Sequence, residues 1–151
     1  MNAPLDEYDE IYVAQPDGYE DGTGRVCRLL QALYGLRKAP RLWFETLTKA
    51  LANIGFEPLS SDLCIFKHRS ENILMIVYVD DMLISAPNKA MIASIMRAME
   101  TYFELKEMGD VKHFLGINIK RDRTNHRIFL SQESFANKML QEFVVGSINP
   151  I

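Results

Sequence analysis

Two apolar runs flank a pair of adjacent aspartates near the middle of the chain. Residues 73–79 are apolar or β-branched, Asp80 and Asp81 follow, and apolar residues resume at Met82. The pattern predicts a buried β-hairpin in which a tight turn, formed by residues 78–81, projects two carboxylates from a hydrophobic sheet. Carboxylates beside apolar surface are costly unless a cation or solvent compensates them, and this arrangement favours a divalent metal ion.

Apolar residues at helical spacing predict two helices with clear ends. One apolar face predicts a helix over residues 40–54, with Pro40 in its first turn and Gly55 just beyond its last residue. A second apolar face predicts a helix over residues 89–104, with Asn88 as its N-cap. The second face is rich in methionine, and we expect it to pack in the core rather than form a binding groove.

Strand-like runs surround these helices. They are residues 11–13, 26–30, 63–68, 111–119 and 127–130. We expect the first two to form a hairpin with a long loop and the last two to form another, and Ser131 to cap a last helix. No repeat, linker or low-complexity segment interrupts residues 1–151. The expected fold class is therefore a single α+β domain with an antiparallel sheet packed on helices.

Composition is typical of a soluble globular protein. Apolar residues make up 48% and charged residues 25% of the 151 residues. No apolar stretch reaches the roughly 18 residues of a membrane span, and the acidic N-terminus is unlike a secretory signal, so we expect an intracellular protein of the cytoplasm or the nucleus. Cys27 and Cys64 lie in apolar surroundings and are expected to be buried free thiols. The three histidines show no metal-ligand spacing.

Charge is segregated along the first third of the chain. Residues 1–24 contain seven acids and no Lys or Arg, whereas residues 25–50 contain six bases and one acid, Glu45. The net charge of −3 argues against a generally basic nucleic-acid binder. A local basic stripe beside an acidic segment can nevertheless hold a phosphate backbone. Solvated charge on two separate surfaces explains the same pattern equally well.

Several short motifs occur in an order that resembles a known family. They are Ile11-Tyr12-Val13-x-Gln15-Pro16, Val26-Cys27-Arg28-Leu29, Leu33-Tyr34-Gly35-Leu36-Arg37-Lys38-Ala39-Pro40-Arg41-x-Trp43, Tyr78-Val79-Asp80-Asp81, Phe114-Leu115-Gly116-Ile117 and Leu130-Ser131-Gln132. Together they make the chain similar to the reverse transcriptase of Ty1/copia-type retrotransposons. The resemblance implies a palm-type polymerase fold that acts on an RNA or DNA template-primer.

The resemblance also implies a two-metal site at the aspartate turn. Asp80 would bind Mg²⁺ (or Mn²⁺), and Asp81 would have a lesser or supporting role. Two metal ions in such enzymes activate the primer 3′-hydroxyl and neutralise the triphosphate, and carboxylate oxygens suit Mg²⁺. Tyr78 and Val79 would flank the primer end. The segment Phe114-Leu115-Gly116 resembles the hairpin that grips the primer strand.

The block that ends at Trp43 resembles the motif beside the incoming nucleotide and template. Tyr34 and Gly35 would approach the nucleotide through ring and backbone. Phosphate contacts are expected from three bases, which are Arg37, Lys38 and Arg41. A solvated face explains these bases nearly as well. Trp43 itself is expected in the core.

The sequence departs from the family pattern at one carboxylate. A further aspartate, carried on an earlier strand, would precede the segment equivalent to residues 2–5, whereas Asp6 and Asp9 match the family's acidic loop beyond that strand. The fingers, a convincing thumb and an RNase H region are not recognisable either. Because a two-metal site that lacks one carboxylate loses charge and geometry together, we expect no DNA synthesis by this chain alone.

Three functional interpretations stay open on the sequence alone. The first is a catalytically incompetent remnant of a polymerase that keeps part of its metal site. The second is a non-catalytic module that binds RNA, DNA or a protein, or that associates with itself through exposed apolar surface. The third is an active polymerase in which another chain supplies the absent aspartate.

Overall fold

The computed structural model describes residues 3–5 and 8–143, which belong to two compact units, Met1–Leu105 and Lys106–Ile151. The described residues form three helices and antiparallel sheets, which confirms the expected α+β class. None of these helices has the length and apolar character needed to cross a membrane. The expectation of a single domain stays a prediction.

The first unit opens with a short hairpin. Strand β1 (Tyr12–Val13) pairs antiparallel with β2 (Cys27–Arg28), so the predicted hairpin with a long loop is confirmed, although both strands are shorter than expected. In the loop, Thr23 donates hydrogen bonds to the Asp21 carboxylate and thereby lowers its pKa. The segment after β2 also pairs with the start of the described chain, where the Ala32 N–H donates a hydrogen bond of 2.8 Å to the Ala3 carbonyl.

Helix α1 (Ala39–Asn53) begins and ends one residue before the predicted bounds. Pro40 lies in its first turn, where its missing N–H removes no intrahelical hydrogen bond. Gly55, with φ +93°, follows the C-cap residue Ile54, as its position in the sequence predicts. One face of the helix is buried, and it carries Ala39, Trp43, Leu47, Ala50 and Leu51.

A four-stranded antiparallel sheet follows α1. Its order is β3-β4-β5-β6, and its strands are β3 (Phe56–Pro58), β4 (Ile65–His68), β5 (Leu74–Tyr78) and β6 (Asp81–Ser85). Strand β4 starts two residues later than predicted. Strand β3 was not predicted, because Glu57 and Pro58 are poor strand formers. Pro58 is tolerated there because β3 lies at the edge of the sheet.

One face of this sheet builds the core of the first unit. Phe66 on β4 lies opposite Met75 on β5, and both side chains are fully buried. Helix α1 and helix α2 (Lys89–Glu100) add apolar residues to the same cluster, including Leu51 and Met99. The methionine-bearing face of α2 is therefore core, as predicted.

Helix α2 starts where its sequence predicts. The Asn88 side chain accepts a hydrogen bond from the Met91 N–H at 3.0 Å, which confirms the predicted N-cap. The helix ends at Glu100, four residues before the predicted end at residue 104.

The opposite face of the sheet is apolar but only half-buried. Ile65, Ile76 and Leu83 lie side by side across β4, β5 and β6, and each is partly exposed. The prediction of a buried hairpin therefore holds for the face that carries Met75 and Val77, and it is wrong for the other face.

The second unit contains a three-stranded antiparallel sheet and one described helix. The strands are β7 (His113–Phe114), β8 (Ile117–Asp122) and β9 (Arg127–Ser131), and the helix is α3 (Glu133–Phe143). The prediction of one continuous strand over residues 111–119 was wrong. Leu115 and Gly116 have φ of +50° and +77°, and they turn the chain between β7 and β8. The prediction that Ser131 caps the last helix was wrong, because Ser131 is the last residue of β9. The first turn of α3 is closed by a hydrogen bond of 2.9 Å from the Ala136 N–H to the Gln132 carbonyl.

Candidate active site

The two aspartates lie at the predicted tight turn. Tyr78 and Asp81 pair across β5 and β6, which leaves Val79 and Asp80 as a two-residue loop. Val79 has φ +55° and Asp80 has no positive φ, which is the sign pattern of a type II′ turn. Glycine is preferred at that first position, and a β-branched residue there is sterically strained. Both carboxylates are exposed to solvent at the end of the hairpin.

Trp43 connects helix α1 to this turn. Its indole Nε1–H donates a hydrogen bond of 2.7 Å to the Val79 carbonyl, and its side chain is 8% exposed. Its ring packs edge-on against Phe103, with centroids 5.3 Å apart. The predicted core position of Trp43 is confirmed. Its hydrogen bond joins residues 36 positions apart, so no local sequence signal could have revealed it.

An apolar cavity of about 160 Å³ lies beside this bond. Its walls include Trp43, Val79 and Cys64. Cys64 is free and exposed, as is Cys27, so the prediction that both thiols are buried was wrong. Cys27 lies in a strand of two exposed residues, and the Cys64 N–H donates to the Asp62 side chain in a surface turn.

The carboxylates of the turn fit a divalent metal in kind but are too few to enclose it. Mg²⁺ prefers several oxygen ligands in octahedral geometry, and carboxylates are its usual protein ligands. Within residues 3–5 and 8–143, no group of three or more His, Cys, Asp or Glu side chains could hold a metal ion. Asp80 and Asp81 could therefore supply only part of a ligand set, and water, phosphate oxygens or another carboxylate would have to supply the rest.

The basic residues before and within α1 differ in their availability. Lys38 forms an ion pair with the largely buried Asp9, and Arg41 Nε donates to Glu45 at 2.7 Å. That hydrogen bond lowers the pKa of Glu45 and raises the pKa of Arg41. Arg37 is exposed and has no ion pair in the described part of the chain.

Most of the other residues predicted for nucleotide or primer contact lie at exposed turns, whereas Phe114 lies in strand β7 and is half-buried. Tyr34 and Gly35 lie in the turn that precedes α1. The ring of Tyr34 is 80% exposed to solvent, and Gly35 has φ +99°. Leu115 and Gly116 form the turn between β7 and β8 in the second unit, and Leu115 is 45% exposed. Asp6, the other acid matched to the family's acidic loop, is outside the described residues.

Comparison with known proteins identifies the family. Residues 1–151 match the family described as "Reverse transcriptase (RNA-dependent DNA polymerase)". The chain is 36% identical over its whole length to the retrovirus-related Pol polyprotein from transposon TNT 1-94 of Nicotiana tabacum, of which it spans 12%. It is 35% identical over 95% of its length to the Pol polyprotein from transposon RE2 of Arabidopsis thaliana, of which it spans 10%.

A shorter relative shows the same relationship. Over 97% of its length the chain is 34% identical to a putative transposon Ty5-1 protein of Saccharomyces cerevisiae, of which it spans 48%. No solved structure matches the chain. The matched region thus corresponds to a part of longer transposon proteins. The chain belongs to the reverse transcriptase family of Ty1/copia-type retrotransposons.

Proposed function

We propose that this chain is the palm region of an RNA-directed DNA polymerase and that Asp80 is a metal ligand of its active site, with Asp81 in a supporting role. The observation that carries the proposal is the strained turn of the β5–β6 hairpin, which places Asp80 in its two-residue loop and Asp81 at the start of β6, both at the exposed end of a hairpin whose inner face is core. A pair of carboxylates so placed can reach a metal bound to nucleotide phosphates without leaving the sheet. Membership of the reverse transcriptase family supports the same assignment.

In this proposal the chain's own residues position the substrates. The metal, when bound, neutralises the triphosphate and activates the primer 3′-hydroxyl. Tyr78 and Val79 would flank the primer end at the turn. In the second unit, Phe114, Leu115 and Gly116 would contact the primer strand. Trp43 restrains the Val79 carbonyl and so limits the movement of the neighbouring carboxylates.

The block before α1 is proposed to contact the nucleotide and the template. Tyr34 and Gly35 offer an exposed ring and an exposed turn, and Arg37 is available to a phosphate without breaking an ion pair. Lys38 and Arg41 would exchange Asp9 and Glu45 for phosphate oxygens. The exchange at Arg41 is inexpensive, because its pair with Glu45 lies at the surface, where an ion pair contributes about 0–1 kcal/mol. The exchange at Lys38 costs more, because it leaves the largely buried Asp9 carboxylate without its cation.

The isolated chain is expected to show no template-dependent DNA synthesis, because its described residues offer two carboxylates where a two-metal site needs a further one. A primer-extension assay on an RNA template with Mg²⁺ or Mn²⁺ measures this, with a complete reverse transcriptase as positive control. Clear extension that is lost in Asp80→Asn would show that the chain is active by itself and would contradict the expectation.

Metal binding at the turn is expected to survive without activity. Addition of Mn²⁺ should broaden the backbone amide NMR signals of residues 78–82, because a paramagnetic ion held by Asp80 lies close to them. The double variant Asp80→Asn/Asp81→Asn should abolish this broadening. Asp17→Asn, which removes an exposed carboxylate from the loop between β1 and β2, is the matched control and should leave it unchanged. Broadening that persists in the double variant would refute the proposed metal site.

A non-catalytic binding module is the second candidate function. The half-buried apolar row formed by Ile65, Ile76 and Leu83 favours it, since such a surface can bind a protein partner or a second copy of the chain. Sedimentation velocity at several concentrations separates the candidates. Self-association that is removed by Ile76→Lys would support the binding module, and a monomer at all concentrations would argue against self-association.

A further inference from the structure

The β8–β9 hairpin concentrates positive charge in a chain whose net charge is −3. Four cations occur between residues 120 and 127, namely Lys120, Arg121, Arg123 and Arg127, with a single acid, Asp122. Three of them, with Asp122, His126 and Ile128, line a polar cavity of about 310 Å³ at the tip of the hairpin. This cluster lies outside every motif that supports the polymerase assignment.

Most of these cations are available to a ligand. Arg123 is paired with Asp110 at 3.3 Å, whereas Lys120, Arg121 and Arg127 are exposed and have no ion pair among the described residues.

The one acid of the cluster is held within the turn. Asp122 accepts hydrogen bonds from the Asn125 side chain at 2.8 Å and from its N–H at 3.1 Å. These bonds lower the pKa of Asp122 and keep its carboxylate charged. The oxygens of Asp122 are therefore occupied within the turn. Asp122 lies opposite Arg127 in the β8–β9 register, on the face that also carries Lys120, and these two cations remain available to an external anion on that face.

An aromatic residue lies between two of the cations on one face of the sheet. Phe129 is directly opposite Lys120 in the β8–β9 register, and Arg127 is two residues away on the same strand and hence on the same face. The Phe129 ring is 51% exposed and belongs to neither hydrophobic cluster of the chain's described part. Its position between two cations distinguishes Phe129, whereas its exposure is shared by the neighbouring Ile128 and Leu130.

We propose that the face formed by Lys120, Arg127 and Phe129 binds single-stranded nucleic acid. One base would stack on Phe129, and the phosphates on either side of it would contact Lys120 and Arg127. An aromatic platform flanked by cations is how sheet surfaces bind single strands, because every base has a π-face and every nucleotide a phosphate. The inference rests on the proposed function in so far as that function makes nucleic acid the ligand.

Fluorescence anisotropy with a labelled DNA single strand of mixed sequence, at several salt concentrations, tests the proposal. The double variant Lys120→Gln/Arg127→Gln should reduce the slope of log affinity against log salt by about 1.4, since each phosphate contact on a single strand contributes about 0.7. Arg69→Gln is the matched control, because it removes an exposed arginine that is already paired with Glu57 in the first unit. It should leave the slope unchanged.

Substitution of the aromatic residue separates stacking from charge. Phe129→Ala should weaken binding by about 5- to 150-fold, the range of one stacked base, with the salt slope unaltered. Phe129→Tyr should retain the wild-type affinity. Because all three side chains are exposed, these variants should keep the fold, which circular dichroism checks.

The arms of the experiment distinguish this inference from the proposed function. If Arg37→Gln weakens binding and the hairpin variants behave like Arg69→Gln, the inference is overturned while the proposed template contact stands. If the hairpin variants alone weaken binding, the inference is supported and the role of Arg37 is not. If the wild-type chain binds no single strand, the inference is overturned. The proposed metal site is then still tested independently by the Mn²⁺ line-broadening experiment.

Discussion

Trp43→Ala is expected to lower the free energy of unfolding of the first unit by about 3–5 kcal/mol, the usual cost of truncating a large buried aromatic residue. The indole is 8% exposed, packs against Phe103 and lines the cavity beside the aspartate turn. The substitution also leaves the Val79 carbonyl without its donor. Urea unfolding measures the effect. It is followed by circular dichroism and not by tryptophan fluorescence, because Trp43 is the one tryptophan of the chain and the variant lacks it.

Trp43→Phe isolates the contribution of the hydrogen bond. It keeps an aromatic ring in the core but removes the N–H donor, so we expect a loss of about 1–2 kcal/mol together with smaller packing changes. Backbone amide signals of residues 79–81 should shift, since the turn loses its restraint. In a Val79→Gly background, where positive φ is no longer strained, the same substitution should shift those signals less.

Two results would contradict this interpretation of Trp43. One is a loss below about 1 kcal/mol in Trp43→Ala, which would mean that the indole is not part of the core. The other is a Trp43→Phe spectrum in which signals change within α1 and none change at residues 79–81. That spectrum would show that the helix and the turn are not coupled.

Gly55→Ala is expected to destabilise the first unit by about 2–4 kcal/mol. Its φ of +93° strains any residue with a Cβ, which costs about 1–2 kcal/mol. An added Cβ would also lie 2.7 Å from Nε2 of His68. That ring cannot move freely, because it packs edge-on against Phe56 and its Nδ1 accepts the Glu71 N–H at 3.1 Å.

Gly35→Ala is the matched control for this substitution. Its φ is +99°, but an added Cβ would meet nothing within 4 Å, so it should cost the backbone strain alone, about 1–2 kcal/mol. Thermal or urea unfolding of both variants gives the difference between them. His68→Ala should recover part of the stability of Gly55→Ala by removing the close contact. Equal losses at the two glycines would show that the contact with His68 contributes nothing.

The elements that the sequence predicted well have local signals. The hairpin around Asp80 follows from two apolar runs and a tight turn, and α1 and α2 follow from apolar periodicity with a proline, a glycine and an N-cap asparagine at their ends. The elements that it missed have weak or misleading signals. Strand β3 contains Glu57 and Pro58, and the turn between β7 and β8 places Leu115, which has no turn preference, at positive φ.

The candidate site was predictable only in part, for a similar reason. Adjacent carboxylates in a hairpin turn are visible in the sequence. The partners that decide which basic residues are available are not, since Asp9 and Lys38 are 29 residues apart and Trp43 and Val79 are 36 apart. The assignment of nucleotide, template and primer contacts to named residues stays a prediction.

The two edge strands of the four-stranded sheet differ in their ability to pair with a further strand. Strand β3 carries Pro58, which has no N–H to offer a neighbouring strand. Strand β6, at the opposite edge among the described residues, contains no proline from Asp81 to Ser85. Its outward N–H and carbonyl groups can therefore receive another extended segment by β-augmentation. A strand added there would run directly beside Asp81, the first residue of that edge.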